Sequence, residues 1–170
     1  MKKFFALLIV AMLALGAVAL AETAYTSDDI TFTYDETVFE VSTDDRTDDE
    51  TTVVLSDIDG ALGGMYIRFY LHDLEDGEAL PTLEEVAEMP DVEATQGEWN
   101  GYSDVITYTV SNEDGTNQTF FLVPVADAED GEIDAQLTVE ISISEIEDEE
   151  AAMGRDDLIS AVLDTLVIDD

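Results

Sequence analysis

Apolar residues recur with a period of two along most of this chain and with a helical period in only two places. Ile30-Thr31-Phe32-Thr33-Tyr34 alternates, Asp35-Glu36 reads as a turn, and Val38-Phe39-Glu40-Val41 alternates again, which predicts an opening β-hairpin. Thr51 to Leu55 is β-branched and predicts a strand that ends at the turn Asp57-Ile58-Asp59-Gly60. Met65, Ile67, Phe69 and Leu71 share one face of the next strand, with Tyr66, Arg68, Tyr70 and His72 on the other. Both faces are bulky, so this strand is expected to be central and covered in part on both sides.

Pro81 precedes a short predicted helix, Thr82 to Met89, with Thr82 as N-cap, Glu85 at the capping-box position and Pro90 ending it. Beyond Trp99, alternation from Tyr102 to Val110 leads to the turn Asn112-Glu113-Asp114-Gly115 and a return strand from about Gln118 to Val125. Pro124 lacks an N–H to give to a ladder and predicts a bulge or an edge there. Ile133, Ala135, Leu137, Val139, Ile141 and Ile143 alternate strictly with Asp134, Gln136, Thr138, Glu140, Ser142 and Ser144, which predicts one core face and one water face. The chain closes on a helix from about Asp148 to Leu166, or from Arg155 if Gly154 breaks it. Its stripe of Leu158, Ile159, Val162, Leu163 and Leu166 is expected to pack on the sheet, and the acids from Glu147 to Glu150 sit where the helix dipole favours them. The expected class is α+β, a mainly antiparallel sheet with a short middle helix and a C-terminal helix packed on it.

Three stretches carry a resemblance. Phe32-x-Tyr34-Asp35-x-x-x-Phe39, Trp99-Asn100-Gly101-Tyr102 and Ile159-x-x-Val162-Leu163-x-x-Leu166 together resemble the Mog1/PsbP-like group, especially its small secreted bacterial members. The resemblance spans nearly all of the chain after residue 21. It implies an α/β/α sandwich and a fold used for binding rather than catalysis, and it brings over no functional residue.

The N-terminus changes how the charge is read. Met1-Lys2-Lys3, the apolar run from Phe4 to Leu20 and Ala19-Leu20-Ala21 ahead of Glu22 have the layout of a signal peptide cleaved after Ala21. Residues 1–21 are therefore expected to be a targeting segment, and residues 22–170 a single acidic domain released outside the cell or into a periplasm. The whole chain has 42 Asp and Glu against 5 Lys and Arg, a net charge of −37. Cleavage removes Lys2 and Lys3 and no acid, which leaves −39 and no lysine, with Arg46, Arg68 and Arg155 as the remaining strong bases. Such a surface repels phosphate backbones and anionic lipid, so neither nucleic acid nor, after cleavage, membrane is an expected partner. A cationic protein or peptide is, because it would be steered in by the field. Like-charge neighbours are also expected to raise most carboxylate pKa values.

Candidate chemistry is sparse. With no cysteine, and after cleavage no lysine and a single histidine, the usual nucleophiles and bases are nearly exhausted. His72 beside Asp73 is the one base candidate; it reads as a surface histidine at a strand end, and no catalytic or cofactor-binding residue is assigned. Carboxylate pairs able to hydrolyse a glycoside occur at any chosen spacing in so acidic a chain and carry no information. The acidic turns Asp57-x-Asp59-Gly60, Asp73-x-Glu75-Asp76-Gly77-Glu78, Asn112-x-Asp114-Gly115 and Asp127-x-Glu129-Asp130-Gly131 offer hard oxygen ligands. None keeps the order of a calcium loop, so a defined metal site is left open and weak calcium binding is expected from charge density. Gly60-Ala61-Leu62-Gly63-Gly64 precedes a strand rather than a helix and reads as a turn, not a phosphate cradle. Tyr66, Tyr70, Trp99 and Tyr102 are candidates for an aromatic recognition surface, with core packing the commoner reading. The expectation is an exported, non-catalytic binding domain, with a divalent-cation binder or salt-adapted protein as first alternative and a carboxylate hydrolase as second.

Overall fold

The computed structural model describes residues 22–60, 62–75, 78–127, 131–145 and 149–168, with backbone only for 149 and 150. Residues 1–21, expected to be a targeting segment, and positions 61, 76, 77, 128–130, 146–148, 169 and 170 lie outside that description. Ten strands and two α-helices follow in order: β1 (Glu22–Thr26), β2 (Ile30–Asp35), β3 (Phe39–Arg46), β4 (Glu50–Asp57), β5 (Tyr66–Asp73), α1 (Leu83–Ala87), β6 (Glu93–Trp99), β7 (Tyr102–Ser111), β8 (Thr116–Ala126), β9 (Ile133–Ser144), α2 (Glu149–Leu163) and β10 (Val167–Ile168). They form a three-stranded sheet, β1-β2-β10, and a seven-stranded sheet, β3-β4-β5-β9-β8-β7-β6, with every pairing antiparallel.

This layering overturns the expected α/β/α sandwich. Helical periodicity supports one five-residue helix and one of fifteen, too little for helical layers on both faces of a sheet. Facing the large sheet is instead a second, smaller sheet, and α2 joins it in closing the core.

The opening hairpin is corrected for a related reason. Val38 N–H donates to Asp35 O at 3.0 Å, so the turn is present. But β2 pairs with β1 and β10, whereas β3 pairs with β4. The turn is a corner between sheets, held by the Asp35 carboxylate, which accepts from the Thr37 N–H at 2.9 Å and from its hydroxyl at 2.6 Å.

Ile30 and Phe32 from β2, Val53 and Leu55 from β4, Ile67 and Phe69 from β5, Leu137 and Val139 from β9, and Ile159, Val162 and Leu163 from α2 meet in one buried cluster. Phe32 stacks on Phe69 at 4.8 Å and on Tyr25 at 4.9 Å, joining the two sheets through their rings. β5 is central as its two bulky faces predict, lying between β4 and β9. Thr82 caps α1 through its side chain to the Glu85 N–H, and Glu85 returns a bond to the Thr82 N–H. Helix α2 runs through Gly154 without a break. Pro124 sits within β8, an interior strand, one residue before a register shift between Val125 and Ala126; the bulge of the two alternatives is what forms.

The predicted water face of β9 is also corrected. Gln136, Glu140 and Ser142 are only 6%, 8% and 8% exposed. Strands on both sides, β5 and β8, place Tyr66, Arg68 and Gln118 against them, so polar residues fill this face without reaching bulk water.

Candidate functional site

The outer face of the seven-stranded sheet gathers most of the side chains with recognition chemistry. Cross-strand register sets them in rows. One row runs Val54, Arg68, Glu140, Phe120, Tyr108 from β4 to β7, and the next runs Thr52, Tyr70, Thr138, Leu122, Ile106. Leu80 and Pro81, just ahead of α1, close over Ile106, Leu122, Pro124 and Gln136 around a cavity of 20 Å³. The remainder of the face has no helix packed on it among the described residues.

Glu140 is the hub. Its Oε1 accepts from the Tyr66 hydroxyl at 2.5 Å and from Gln118 Nε2 at 2.8 Å, while Oε2 lies 3.6 Å from Arg68 Nη1. Three partners from β5 and β8 compensate the loss of water around a carboxylate that would otherwise be costly to bury. The Arg68 guanidinium also lies over the Tyr70 ring, 5.4 Å from its centroid. On the other side of Glu140, Phe120 and Tyr108 stack at 4.8 Å. Burial and then the hydrogen bond to Glu140 raise the Tyr66 pKa; burial and then the Glu140 charge raise that of Tyr108.

At the Glu50–His72 end, this face opens into a concavity of 1260 Å³ lined by Thr47, Asp49, Glu50, Tyr70, His72, Asp73, Leu74, Glu75 and Glu78. The Tyr70 hydroxyl donates to Glu50 at 2.8 Å, which with burial raises the tyrosine pKa. His72 stacks on Tyr70 at 5.2 Å and its Nε2 is 3.8 Å from Glu78. Its Nδ1 is buried without a hydrogen-bond partner. Burial, followed by the charges of Asp49, Asp134 and Asp29, raises the pKa of Asp73.

The expected rise does not hold for every acid. Asp44 is lowered by its hydrogen bond from Arg46, Glu85 by bonds from the Thr82 backbone and side chain, and Asp114 by bonds from Thr116. A carboxylate that accepts a local donor is stabilised in its charged form, and that outweighs the surrounding field.

Two of the acidic turns satisfy themselves, and the other two lie partly outside the described residues. Asp57 accepts from the N–H groups of Leu62 at 2.7 Å and Gly64 at 3.2 Å, so the glycine-rich loop cradles the chain's own carboxylate. Asp114 accepts from the Thr116 N–H at 3.0 Å and hydroxyl at 2.7 Å. Positions 76–77 and 128–130 of the other two turns are not described. Among the described residues, no group of three or more His, Asp or Glu is disposed to hold a metal ion.

The four candidate aromatics separate. Tyr66 and Tyr70 lie on the outer face, but Trp99 stacks on Phe121 at 4.8 Å, and both Trp99 and Tyr102 pack against the core. The sequence pattern reads Glu140 only as part of a water face and does not single out Tyr108 and Phe120, because their adjacency to Arg68 depends on pairings between distant strands. The sequence signals for them are the alternation of Glu140 in β9 and the even spacing of Tyr108 in β7. No helix of the described residues is long and apolar enough to cross a membrane. No protein-family model, no curated protein and no solved structure matches this chain.

Proposed function

We propose that the chain is an exported, non-catalytic binding domain whose acidic surface takes a cationic protein or peptide. The observation that carries this reading is the lining of the large concavity: Asp49, Glu50, Asp73, Glu75 and Glu78 converge there with His72 as the one basic side chain among the lining residues. A net charge of −37 over the whole chain adds a long-range field that speeds encounter with a partner rich in Lys or Arg. Pull-down of basic proteins and peptides by residues 22–170 tests it at about 50 and about 300 mM salt. Capture at the lower strength and loss at the higher is expected; no capture at either overturns the reading.

A second reading, divalent-cation binding, is favoured by the convergence of Asp49, Glu50 and Asp73 on one concavity, where burial and then the charges of Asp49, Asp134 and Asp29 raise the Asp73 pKa. Calorimetry with calcium chloride separates the two. A saturating, stoichiometric isotherm supports a cation site, and a shallow one leaves only the ion atmosphere.

A further inference from the structure

We propose that the outer face of the seven-stranded sheet reads arginine in preference to lysine, by stacking a partner's guanidinium on the Tyr108–Phe120 ring pair beside Glu140. The inference rests on the cationic-partner reading and names the surface and side chain that would deliver it.

The chain's own arginines show what its surface does with a guanidinium. Arg46 grips Asp44 with two bonds, Nε to Oδ1 at 2.8 Å and Nη2 to Oδ2 at 2.9 Å, and lies over the Tyr25 ring at 5.8 Å. Arg68 lies over the Tyr70 ring at 5.4 Å with a single Nη1 contact to Glu140 at 3.6 Å in place of the fork. Twice, then, a guanidinium is held between a tyrosine face and a carboxylate. An ammonium has neither the plane to stack nor the fork to match a carboxylate, which is why the two cations are not interchangeable in such a site.

The Tyr108–Phe120 pair is the third such place. Glu140 stands between Arg68 on β5 and Phe120 on β8, so the ring pair lies in the same cross-strand row, on the side of the carboxylate away from Arg68. No described cation covers it. Arg46 and Arg68 sit over other rings, and Arg155 donates to Ser144 O at 2.8 Å from helix α2. Both rings are half-buried, each covering one face of the other, and neither lines either cavity of this face. The fit is one of charge and shape together: stacked rings next to a pinned carboxylate, on a sheet whose β4–β5 end carries a concavity lined by five further acids. The occupant is an arginine-bearing segment of a partner protein.

Calorimetric titration of residues 22–170 with hexa-arginine and with hexa-lysine, at about 50 mM salt, is the test. Hexa-arginine is expected to bind at least about fivefold more tightly, consistent with a stacked guanidinium. Tyr108→Leu with Phe120→Leu keeps apolar bulk but removes the rings; it is expected to bring the two peptides within about twofold of each other while a circular dichroism melt shows the fold retained. Glu75→Gln with Glu78→Gln should weaken both peptides alike and keep the preference. Equal binding of the two peptides by the unaltered chain, or a preference that survives loss of both rings, overturns the assignment of this face and leaves the cationic-partner reading standing. Binding of neither peptide overturns both. If the ring variant does not fold, Tyr108→Leu alone, expected to reduce the preference at least about twofold, decides the same question.

Discussion

The side-chain amide of Asn100 donates to the carbonyl oxygen of Leu163 at 3.1 Å, across 63 positions of sequence. The same Nδ2 reaches Leu166 O, also at 3.1 Å, so the tight turn between β6 and β7 caps the C-terminal end of α2. Asn100 has φ 49°, a left-handed conformation that asparagine tolerates better than most residues.

Replacing the amide tests that joint. Asn100→Asp keeps the backbone preference but presents a carboxylate to two carbonyls, and is expected to cost about 1–3 kcal/mol. Asn100→Gly relaxes the backbone and loses only the donor, so its cost should be smaller. Urea denaturation of both variants checks the order, and an Asp variant as stable as the parent would contradict the role given to the amide.

The basic residues set a proteolysis pattern. After removal of residues 1–21, trypsin has three sites. Arg68 lies in central β5 and Arg155 is 6% exposed within α2, whereas Arg46 is exposed at the end of edge strand β3. Native digestion is expected to give a first cut after Arg46 and slow loss thereafter, since cleavage needs locally unfolded chain. Mass spectrometry of a digestion series would expose early cleavage at Arg68, which this arrangement forbids.

Asp73 and Asp44 respond to acid in opposite directions. The folded-state pKa of Asp73 lies above its ordinary 3.8, chiefly through burial and then through neighbouring acids. Its ionised form therefore costs stability at neutral pH, and the cost fades as pH falls through the raised value toward the unfolded one. Asp44 is lowered by Arg46, so its contribution is present above 3.8 and is lost as pH falls through the lower folded value. Asp73→Asn is expected to raise the Tm at pH 7, with the gain shrinking on acidification to about pH 4.5. A gain that does not change across this range would rule out ionisation as its cause.

Salt should stabilise the fold as a whole. Screening relieves the self-repulsion of a chain at −37, so the Tm is expected to rise between about 5 and about 500 mM NaCl. Differential scanning calorimetry measures this directly, and a flat Tm would mean that local pairing already neutralises the field.

Sequence pattern reaches those elements whose faces differ in polarity over several residues. β4, β5, the β7–β8 hairpin, β9 and the capped α1 are legible because alternation or a capping box marks them within one window. β6 is not, since Glu93-Ala94-Thr95-Gln96-Gly97-Glu98-Trp99 is a mostly exposed edge without an apolar face. β1 and the two-residue β10 exist only through their pairing with β2. The Asp35 turn looks alike whether the strands flanking it pair with each other or part into different sheets. For the same reason the outer-face rings were half visible: Tyr66 and Tyr70 alternate in one strand, while Phe120 and Tyr108 become their neighbours only after β9 is set between them.

The small sheet has a kinetic consequence. β2 is flanked on one side by β10, with Thr31 opposite Val167 and Ile30 opposite Ile168, and the Thr165 hydroxyl accepts from the Thr33 N–H at 2.9 Å across 132 positions. Contacts of that separation close a loop spanning almost all of the described chain, and they form late because the entropy of closure is met before any packing rewards it. Chain lacking its last strand would hold β1 and β2 as an unfinished ribbon beside an assembled large sheet. Thr165, Val167 and Ile168 therefore act as the latch of the fold, and refolding followed through Tyr25 and Phe32 should lag refolding followed through Trp99.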